Sequence, residues 1–244
     1  GCMYALFLKE IRSFLNSLIG YITMSVFLIA TGIFMWVFSG PSNVLDFGEA
    51  SLQSLFINAP NIFLFLIPAI TMRSFAEEKR TGTIEILMTK PLSDFQIILA
   101  KYFAGVTLVL LSLLPTLIFY YSVVELGDPI GNIDHASTWG AYIGLFLLGA
   151  VFVAIGIFAS SITSNQVIAF MIALLLCFTI YIGFQFLAAI FSAPFDLIFM
   201  NLGIHEHYVS VQRGVIDSRD IIYYVSAISL FLLLTKLALQ TRKW

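Results

Sequence analysis

The side chains best suited to chemistry or to protein contact are concentrated in one charged segment, residues 73–101. Two adjacent carboxylates, Glu77 and Glu78, are followed at once by Lys79 and Arg80 and then by Thr-Gly-Thr. Charges of both signs, packed this closely, form ion pairs on a solvated surface. The segment contains no histidine or cysteine, and therefore no Ser/His/Asp or Cys/His set for nucleophilic catalysis. Its charges predict a contact surface and not an active site.

The remaining reactive side chains give weak indications. His205, Glu206 and His207 carry metal-ligand atoms, but a His-x-His pair without a third fixed ligand does not define a metal site. Cys2 and Cys177 lie far apart without metal-ligand spacing, so neither a disulfide nor a zinc site is predicted. No Gly-x-x-x-x-Gly-Lys-[Ser/Thr] phosphate loop occurs, so the chain is not expected to be an enzyme that hydrolyses ATP, and no cofactor is predicted. No basic and aromatic pattern indicates nucleic-acid binding.

Composition places the chain in a membrane. It is 60% hydrophobic and 11% charged, whereas a soluble domain carries about 25% charged residues. Six apolar runs have the roughly 20 residues that a spanning helix needs. They predict an all-α polytopic fold with spans at residues 18–38, 55–72, 102–124, 139–161, 167–190 and 221–237. Apart from Lys236 near the end of the sixth run, these runs contain no Asp, Glu, Lys, Arg or His, which argues against an ion-coupled carrier.

The basic residues predict the orientation. With six spans, ten of the twelve lysines and arginines fall on one side, and only Arg213 and Arg219 fall on the other. Basic residues favour the cytoplasmic side, so both termini and the loop 73–101 are expected there, in a bacterial inner membrane. The ten residues are Lys9, Arg12, Arg73, Lys79, Arg80, Lys90, Lys101, Lys236, Arg242 and Lys243.

Two segments outside the spans have apolar patterns of their own. Residues 1–17 predict an interfacial helix that precedes the membrane domain, residues 18–244, and lies along the cytoplasmic surface. Its predicted apolar face consists of Tyr4, Phe7, Leu8, Ile11, Phe14 and Leu15. Residues 191–220 predict an external segment with a short helix on the outer surface, formed by Phe195, Leu197, Ile198, Phe199 and Met200.

The loop 73–101 is predicted to contain a short amphipathic helix. Its apolar residues are Ile84, Ile86, Leu87 and Met88, with Glu85 on the polar side. Pro91 ends this helix, and Ser93 is suited to cap the next one. A helix held between two spans would act as a rigid handle, residues 77–91, that transmits force to both. An ordinary hairpin anchored by basic side chains explains the same pattern.

Polar and small residues within the spans leave two further questions open. Asn58, Asn61 and Gln185 either line a substrate path or hydrogen-bond within the helix bundle. Small residues in the fourth span either allow close helix packing or form a gating hinge; they are Gly140, Gly144, Gly149, Ala150, Ala154 and Gly156.

The loop resembles the signature region of ABC-2-type permeases, in which Phe-x-x-Glu-[basic]-x-x-Gly-Thr-x-Glu-x-Leu-x-x-x-Pro joins the second and third spans. The matching residues are Phe75, Glu78, Lys79, Gly82, Thr83, Glu85, Leu87 and Pro91. The resemblance implies that this loop carries the coupling helix, which docks on a nucleotide-binding subunit, and that residues 1–17 form the elbow helix of the family. The residues expected to contact the ATPase are Glu77, Glu78, Gly82, Thr83, Glu85, Leu87 and Pro91.

Three stretches, residues 63–79, 101–105 and 129–134, also resemble the GldF family of gliding-motility permeases from Bacteroidetes. This resemblance implies a dimeric transmembrane assembly, formed with a second copy or with a GldG-like membrane protein. A GldA-like ABC ATPase would bind ATP underneath. The chain is thus expected to be the permease subunit of an exporter or of a gliding or secretion machine. The alternative is a non-transporting scaffold, driven by an ABC ATPase for assembly or mechanical work.

Overall fold

The computed structural model of the protein describes residues 2–241. Gly1, Arg242 and Lys243 lie outside this range, so two of the ten basic residues behind the predicted orientation are not described. Within the described range the secondary structure is helical, without strands. Six helical segments are long and apolar enough to cross a membrane, which confirms the predicted all-α polytopic fold. We call the end that carries the loop 73–101 the basic end and the opposite end the acidic end.

The six spans are built from nine helices, because helical geometry changes within three of them. Span 1 is α2 and span 2 is α4, which continues beyond a turn at residues 72–75 into α5. Spans 3 and 5 each contain two α-helices, joined by a 3-10 turn and a π-helical turn respectively. The bounds are α2 (Leu18–Trp36), α4 (Gln53–Thr71), α5 (Ala76–Arg80), α7 (Asp94–Leu113), α8 (Leu117–Leu126), α9 (His135–Ile162), α10 (Gln166–Phe178), α11 (Phe184–Ile190) and α14 (Ser218–Gln240).

Five shorter helices lie between or before the spans. They are α1 (Cys2–Leu15), α3 (Val44–Phe47), α6 (Thr83–Met88), α12 (Phe195–Leu202) and α13 (Ile204–Gln212).

Prolines in the spans have unequal effects. The helix α4 continues through Pro60 and Pro68, whereas Pro115 coincides with the 3-10 turn Leu114–Thr116, where the missing N–H interrupts α-helical bonding.

Helix α9 forms the centre of the bundle and packs against α4, α7, α10, α13 and α14. Its small residues allow this close approach. A Cβ atom at Gly149 would lie 2.7 Å from Val109 Cγ1 of α7, and one at Gly156 would lie 2.7 Å from Thr71 Cβ of α4. The small residues of this span therefore pack within the chain, the first of the two interpretations.

The N-terminal helix is present as predicted, and part of its apolar face packs against the protein. Helix α1 packs along α7 with Leu6 buried, and Phe7 and Phe14 contact the core. Tyr4, which also belongs to the predicted apolar face, is 62% exposed. The apolar residues of α1 cover more than one stripe of the helix, so the sequence did not define which stripe would meet α7.

At the acidic end, two consecutive helices form a hairpin, α12–α13. The predicted exposed helix is α12, which has no buried residue. Helix α13 packs against α9, and Ile204, Tyr208 and Val211 are buried there. The hydroxyl of Tyr208 donates a hydrogen bond to the carbonyl of Phe56 in α4 at 2.5 Å. The second half of this predicted external segment is thus part of the packed structure.

Candidate functional site

The predicted handle forms a helix–turn–helix at the basic end. Gly82 has φ = 71°, a left-handed conformation that glycine adopts at little cost, and it allows the chain to turn between α5 and α6. Helix α6 ends at Met88, before Pro91. Ser93 caps α7 as predicted: its hydroxyl accepts from the Gln96 N–H, and the Gln96 side chain accepts from the Ser93 N–H. The proline and the capping box therefore mark the C-terminal end of the handle and the start of α7.

The two faces of α6 differ in burial. Ile84 is buried, and Leu87 and Met88 are half-buried against the core. The prediction was wrong for Ile86, which is 62% exposed. Positions 84, 87 and 88 share one side of a helix because they are three and four residues apart, whereas position 86 points elsewhere. An apolar side chain is therefore displayed at the tip of the handle, beside exposed Glu85.

The residues predicted to contact an ATPase fall into two groups. Glu78 has a side chain only 13% exposed, and it takes part in the internal ion pairs described below. Leu87 is half-buried against the core. The others are accessible at the surface, and the carboxylate of Glu77 lies 3.8 Å from Arg80. These accessible residues are Glu77, Gly82, Thr83, Glu85 and Pro91.

A buried lysine connects the base of the handle to two other helices. The Lys101 ammonium of α7 lies 3.0 Å from Glu10 of α1 and 3.0 Å from Glu78 of α5. Lys101 is only 3% exposed, and its ammonium lies 5.1 Å from the centre of the Phe75 ring. Lys9 contacts both carboxylates at 3.3 Å from the more exposed side. We call Lys9, Glu10, Glu78 and Lys101 the ionic cluster.

The ion pairs favour the charged forms of Glu10 and Lys9. Burial alone would raise the pKa of Glu10, but the ammonium groups of Lys101 and Lys9 hold this pKa below its ordinary value. Burial alone would lower the pKa of Lys9, but Glu10 and Glu78 raise it. Each carboxylate thus faces two ammonium groups, and the pairing offsets part of the cost of removing the Lys101 ammonium and the two carboxylates from water.

A serine of α9 fixes the turn at residues 72–75 that leads into α5. The Ser160 hydroxyl accepts hydrogen bonds from the N–H groups of Phe75 and Ala76, at 2.9 and 3.0 Å, and donates to the carbonyl of Met72 at 3.0 Å. The ammonium of Lys79 donates to the carbonyl of Ser161. One hydroxyl therefore satisfies three backbone groups of a turn that would otherwise leave them unpaired inside the protein.

These contacts fix the base of the handle to three helices that are distant in sequence. The sequence predictions did not include Glu10, Lys101 or Ser160 as functional residues. A signal existed for two of them: Glu10 is the single acidic residue between residues 2 and 15, and Lys101 directly precedes the third apolar run. Ser160 had no such signal, because serine is common in membrane helices and its partners are more than 80 positions away.

A cleft of about 220 Å³ lies beside the ionic cluster, between α1, α4, the following turn and α7. Arg73, Ser74 and Ser13 line its polar part, and Ala104 and Leu108 line its apolar part. The cleft leaves space next to the helices that the cluster joins.

The other predicted polar groups do not form a second site. Asn58 and Asn61 donate hydrogen bonds to carbonyl groups one turn earlier in α4, so their amides are used within their own helix. His205 and His207 have different partners: the ring of His205 lies 5.3 Å from that of Tyr181 in a tilted arrangement, while His207 contacts α14. Among residues 2–241 there is no group of three or more His, Cys, Asp or Glu side chains that could hold a metal ion.

The fold and this loop define a polytopic helical permease. The family described as ABC-2 family transporter protein matches residues 38–202, which is more than half of the chain and includes the whole handle. The chain belongs to this family of ABC transporter membrane domains. No curated protein matches the chain.

Proposed function

We propose that this permease subunit binds a separate ATPase subunit through the tip of its handle. The supporting observation is the contrast between tip and base. Ile86 and Glu85 are exposed at the tip, whereas Glu78 and the turn before α5 are fixed to α1, α7 and α9. An exposed apolar side chain on a rigid segment is typical of a protein contact. A push on the tip would move spans 2 and 3, since the handle is continuous with both.

The family and the sequence support a proposal for the wider assembly. The chain lacks a phosphate loop, so ATP would be bound and hydrolysed by the partner. The basic end would face the cytoplasm of a bacterial inner membrane, together with both termini. Two permease subunits, or one with a GldG-like protein, would sit above two GldA-like ATPases. Gliding motility or secretion is the process that the resemblance suggests.

Co-purification from the native membrane tests the ATPase contact. The full chain is tagged and isolated, and the partner must carry a phosphate loop and hydrolyse ATP. Replacing Ile86 by Ser together with Glu85 by Ala is expected to reduce its recovery by about tenfold, as for loss of an interface hot spot. Ile130→Ser is the matched control, because Ile130 is an isoleucine of similar exposure, 72%, at the acidic end.

Recovery of the same ATPase with the double variant, and with the handle deleted, would show that the handle is not the docking site. Leu87→Ala is less informative than Ile86→Ser, because Leu87 also packs against the core and its loss would disturb α6. Circular dichroism of the purified variants checks that the spans remain folded.

The non-transporting scaffold is the second candidate. It is supported by Asn58 and Asn61, whose amide groups donate hydrogen bonds to carbonyl groups of α4 itself. Reconstitution of the permease with its ATPase in vesicles separates the two functions. A transporter responds to its substrate with increased ATP hydrolysis, whereas a scaffold responds to its assembly partner only. Transport that an uncoupler abolishes and vanadate does not affect would instead indicate an ion-coupled carrier.

A further inference from the structure

A second close pair of titratable side chains lies at the acidic end, between the hairpin α12–α13 and span 6. Nδ1 of His207 in α13 lies 2.7 Å from Oδ1 of Asp220 in α14, and Nε2 lies 3.0 Å from the carbonyl oxygen of Asn201 in α12. Asp220 is 5% exposed, and its Oδ2 accepts a hydrogen bond from the Ser210 hydroxyl at 2.7 Å. Three helices therefore meet at this one pair.

The partners of His207 determine how many protons the pair must hold. A backbone carbonyl only accepts hydrogen bonds, and so does a carboxylate. A neutral imidazole has one N–H and can donate to only one of them. Both bonds therefore require one additional proton, shared between His207 and Asp220. We propose that His207 and Asp220 form a proton-binding site that fastens the hairpin α12–α13 to span 6. This inference goes beyond the proposed ATPase coupling and does not depend on it.

The surroundings of the ring favour the protonated pair. Tyr223 stacks on His207 with ring centres 4.0 Å apart, and its hydroxyl donates to the carbonyl of Leu202 at 2.6 Å. The face of an aromatic ring attracts an imidazolium cation that lies against it. Within residues 2–241, Asp220 is the ion-pair partner of His207. Other titratable or charged groups on α13 and on the elements packed against it are His135, Tyr142, Tyr181, Asp196, His205, Glu206, Tyr208, Arg219, Tyr224 and Lys236.

Because of this proton, the attachment of the hairpin α12–α13 to span 6 depends on pH in a defined direction. The closed arrangement holds the additional proton, so low pH stabilises it. As the pH rises, the additional proton leaves, and one ring nitrogen of His207 keeps only a lone pair. That nitrogen then faces an acceptor, either the Asn201 carbonyl or the Asp220 carboxylate. One of the two hydrogen bonds is therefore lost. Histidine is the side chain that usually changes charge between about pH 5 and 8. The hairpin should therefore loosen from α14 as the pH outside this end increases.

The chain supplies internal controls, because it contains three histidines. His205 has a buried Nδ1 without a hydrogen-bond partner; burial lowers its pKa, with Glu206 opposing this effect only in part. His135 shares its Nδ1 with the Tyr120 hydroxyl at 2.6 Å in an exposed position. Among residues 2–241, His207 is the histidine with an acceptor at both ring nitrogens, so the three rings differ in their hydrogen bonding.

Nitrogen NMR of the purified full chain, labelled with ¹⁵N in histidine, measures this directly. The spectra of His207→Gln and His205→Gln assign the signals. At about pH 5, His207 is expected to show two protonated ring nitrogens, and on raising the pH toward about 8 one of them should lose its proton. His205 should show a single protonated nitrogen at a pH where His207 still shows two. A His207 ring with one protonated nitrogen at every pH, together with an ionised Asp220 carboxylate in the ¹³C spectrum, would overturn the proposal.

Hydrogen exchange tests the fastening itself. At about pH 5, the backbone of residues 201–212 should exchange about tenfold faster in His207→Gln than in the unsubstituted chain, as expected for the loss of one charge-assisted bond. At about pH 8 the exchange rates of the two chains should converge, since His207 and Asp220 of the unsubstituted chain have then lost the additional proton. His135→Gln is the matched control and should leave the exchange of residues 201–212 unchanged at both pH values. A difference in exchange rate that stays constant with pH would show an ordinary neutral hydrogen bond and contradict the proposal. If His207→Gln does not fold, the NMR titration of the unsubstituted chain still tests the proposal.

Discussion

At the basic end, a buried lysine joins α1, α5 and α7 through two carboxylates, while at the acidic end a histidine joins α12, α13 and α14 through one carboxylate and one carbonyl. Both ends thus use a buried charge to hold helices that are separated in sequence. The two cations differ in chemistry. Lysine keeps its charge throughout the physiological range, whereas histidine does not.

This difference suggests different mechanical properties at the two ends. The basic end carries the handle, whose base must stay rigid if a push on its tip is to reach spans 2 and 3. The ionic cluster and the Ser160 hydroxyl provide that rigidity. The acidic end carries a hairpin whose attachment to α14 can change with pH. Substitutions in the basic end and in the central helix α9 test whether the two ends differ in rigidity and in pH dependence.

Replacing Lys101 by Met should have the largest effect. The variant leaves Glu10 and Glu78 without their buried cation, and breaking a buried pair in this way costs about 3–5 kcal/mol of unfolding free energy. Unfolding in detergent by a denaturant series measures it. The triple variant with Glu10→Gln and Glu78→Gln should recover most of the loss, because no unpaired carboxylate remains. Unchanged stability of Lys101→Met would mean that the ionic cluster does not hold the basic end together.

Gly156→Ala should come next. The new Cβ would contact Oγ1 of Thr71 and lie 2.7 Å from Cβ of Thr71, both in α4. Overpacking of this kind costs about 1–3 kcal/mol, and the same unfolding assay detects it. Gly183→Ala is the control, because its nearest neighbour, Cγ2 of Thr179, lies at 3.4 Å. Equal effects of the two substitutions would show that helix propensity, and not the α4–α9 contact, decides the outcome.

Ser160→Ala should destabilise the base of the handle by about 1–3 kcal/mol, since it leaves two buried N–H groups without an acceptor. The effect should be local, so hydrogen exchange of residues 72–80 should increase more than exchange in the rest of the bundle. Ser161→Ala is the matched control, because its hydroxyl donates to a carbonyl of its own helix, that of Phe158. If both variants exchange alike, Ser160 does not fix the turn.

The smallest effect concerns pH and distinguishes the two ends most directly. Because the folded-state pKa of Glu10 is held below its ordinary value, Glu10 contributes stability above that ordinary value, and the contribution is lost as the pH falls further. The basic end should therefore weaken in acid, opposite to the acidic end. Glu10→Gln should flatten the acid limb of a stability–pH curve, whereas Glu49→Gln, at an exposed position, should not. An acid limb that Glu10→Gln leaves unchanged would contradict this assignment.

Much of the fold was readable from local patterns. Apolar runs of spanning length predicted six spans, Ser93 predicted the start of α7, and Pro91 predicted the end of the handle, because each depends on residues a few positions apart. Ile86 was assigned to the wrong side of α6. A six-residue helix contains too few turns for its apolar stripe to be defined without knowing what it packs against.

The sequence by itself determined membrane residence, the number of spans and the position of the handle, since chain length and hydrophobicity act over one helix at a time. Only the tertiary structure decided which charges are internal. Lys101 and Glu10 are separated by 91 positions, and Ser160 and Phe75 by 85. Such pairs are set by how α9 and α1 pack against α4 and α7. Burial then determines their role, because the same lysine at a solvated loop would contribute little, whereas inside the bundle it must be paired.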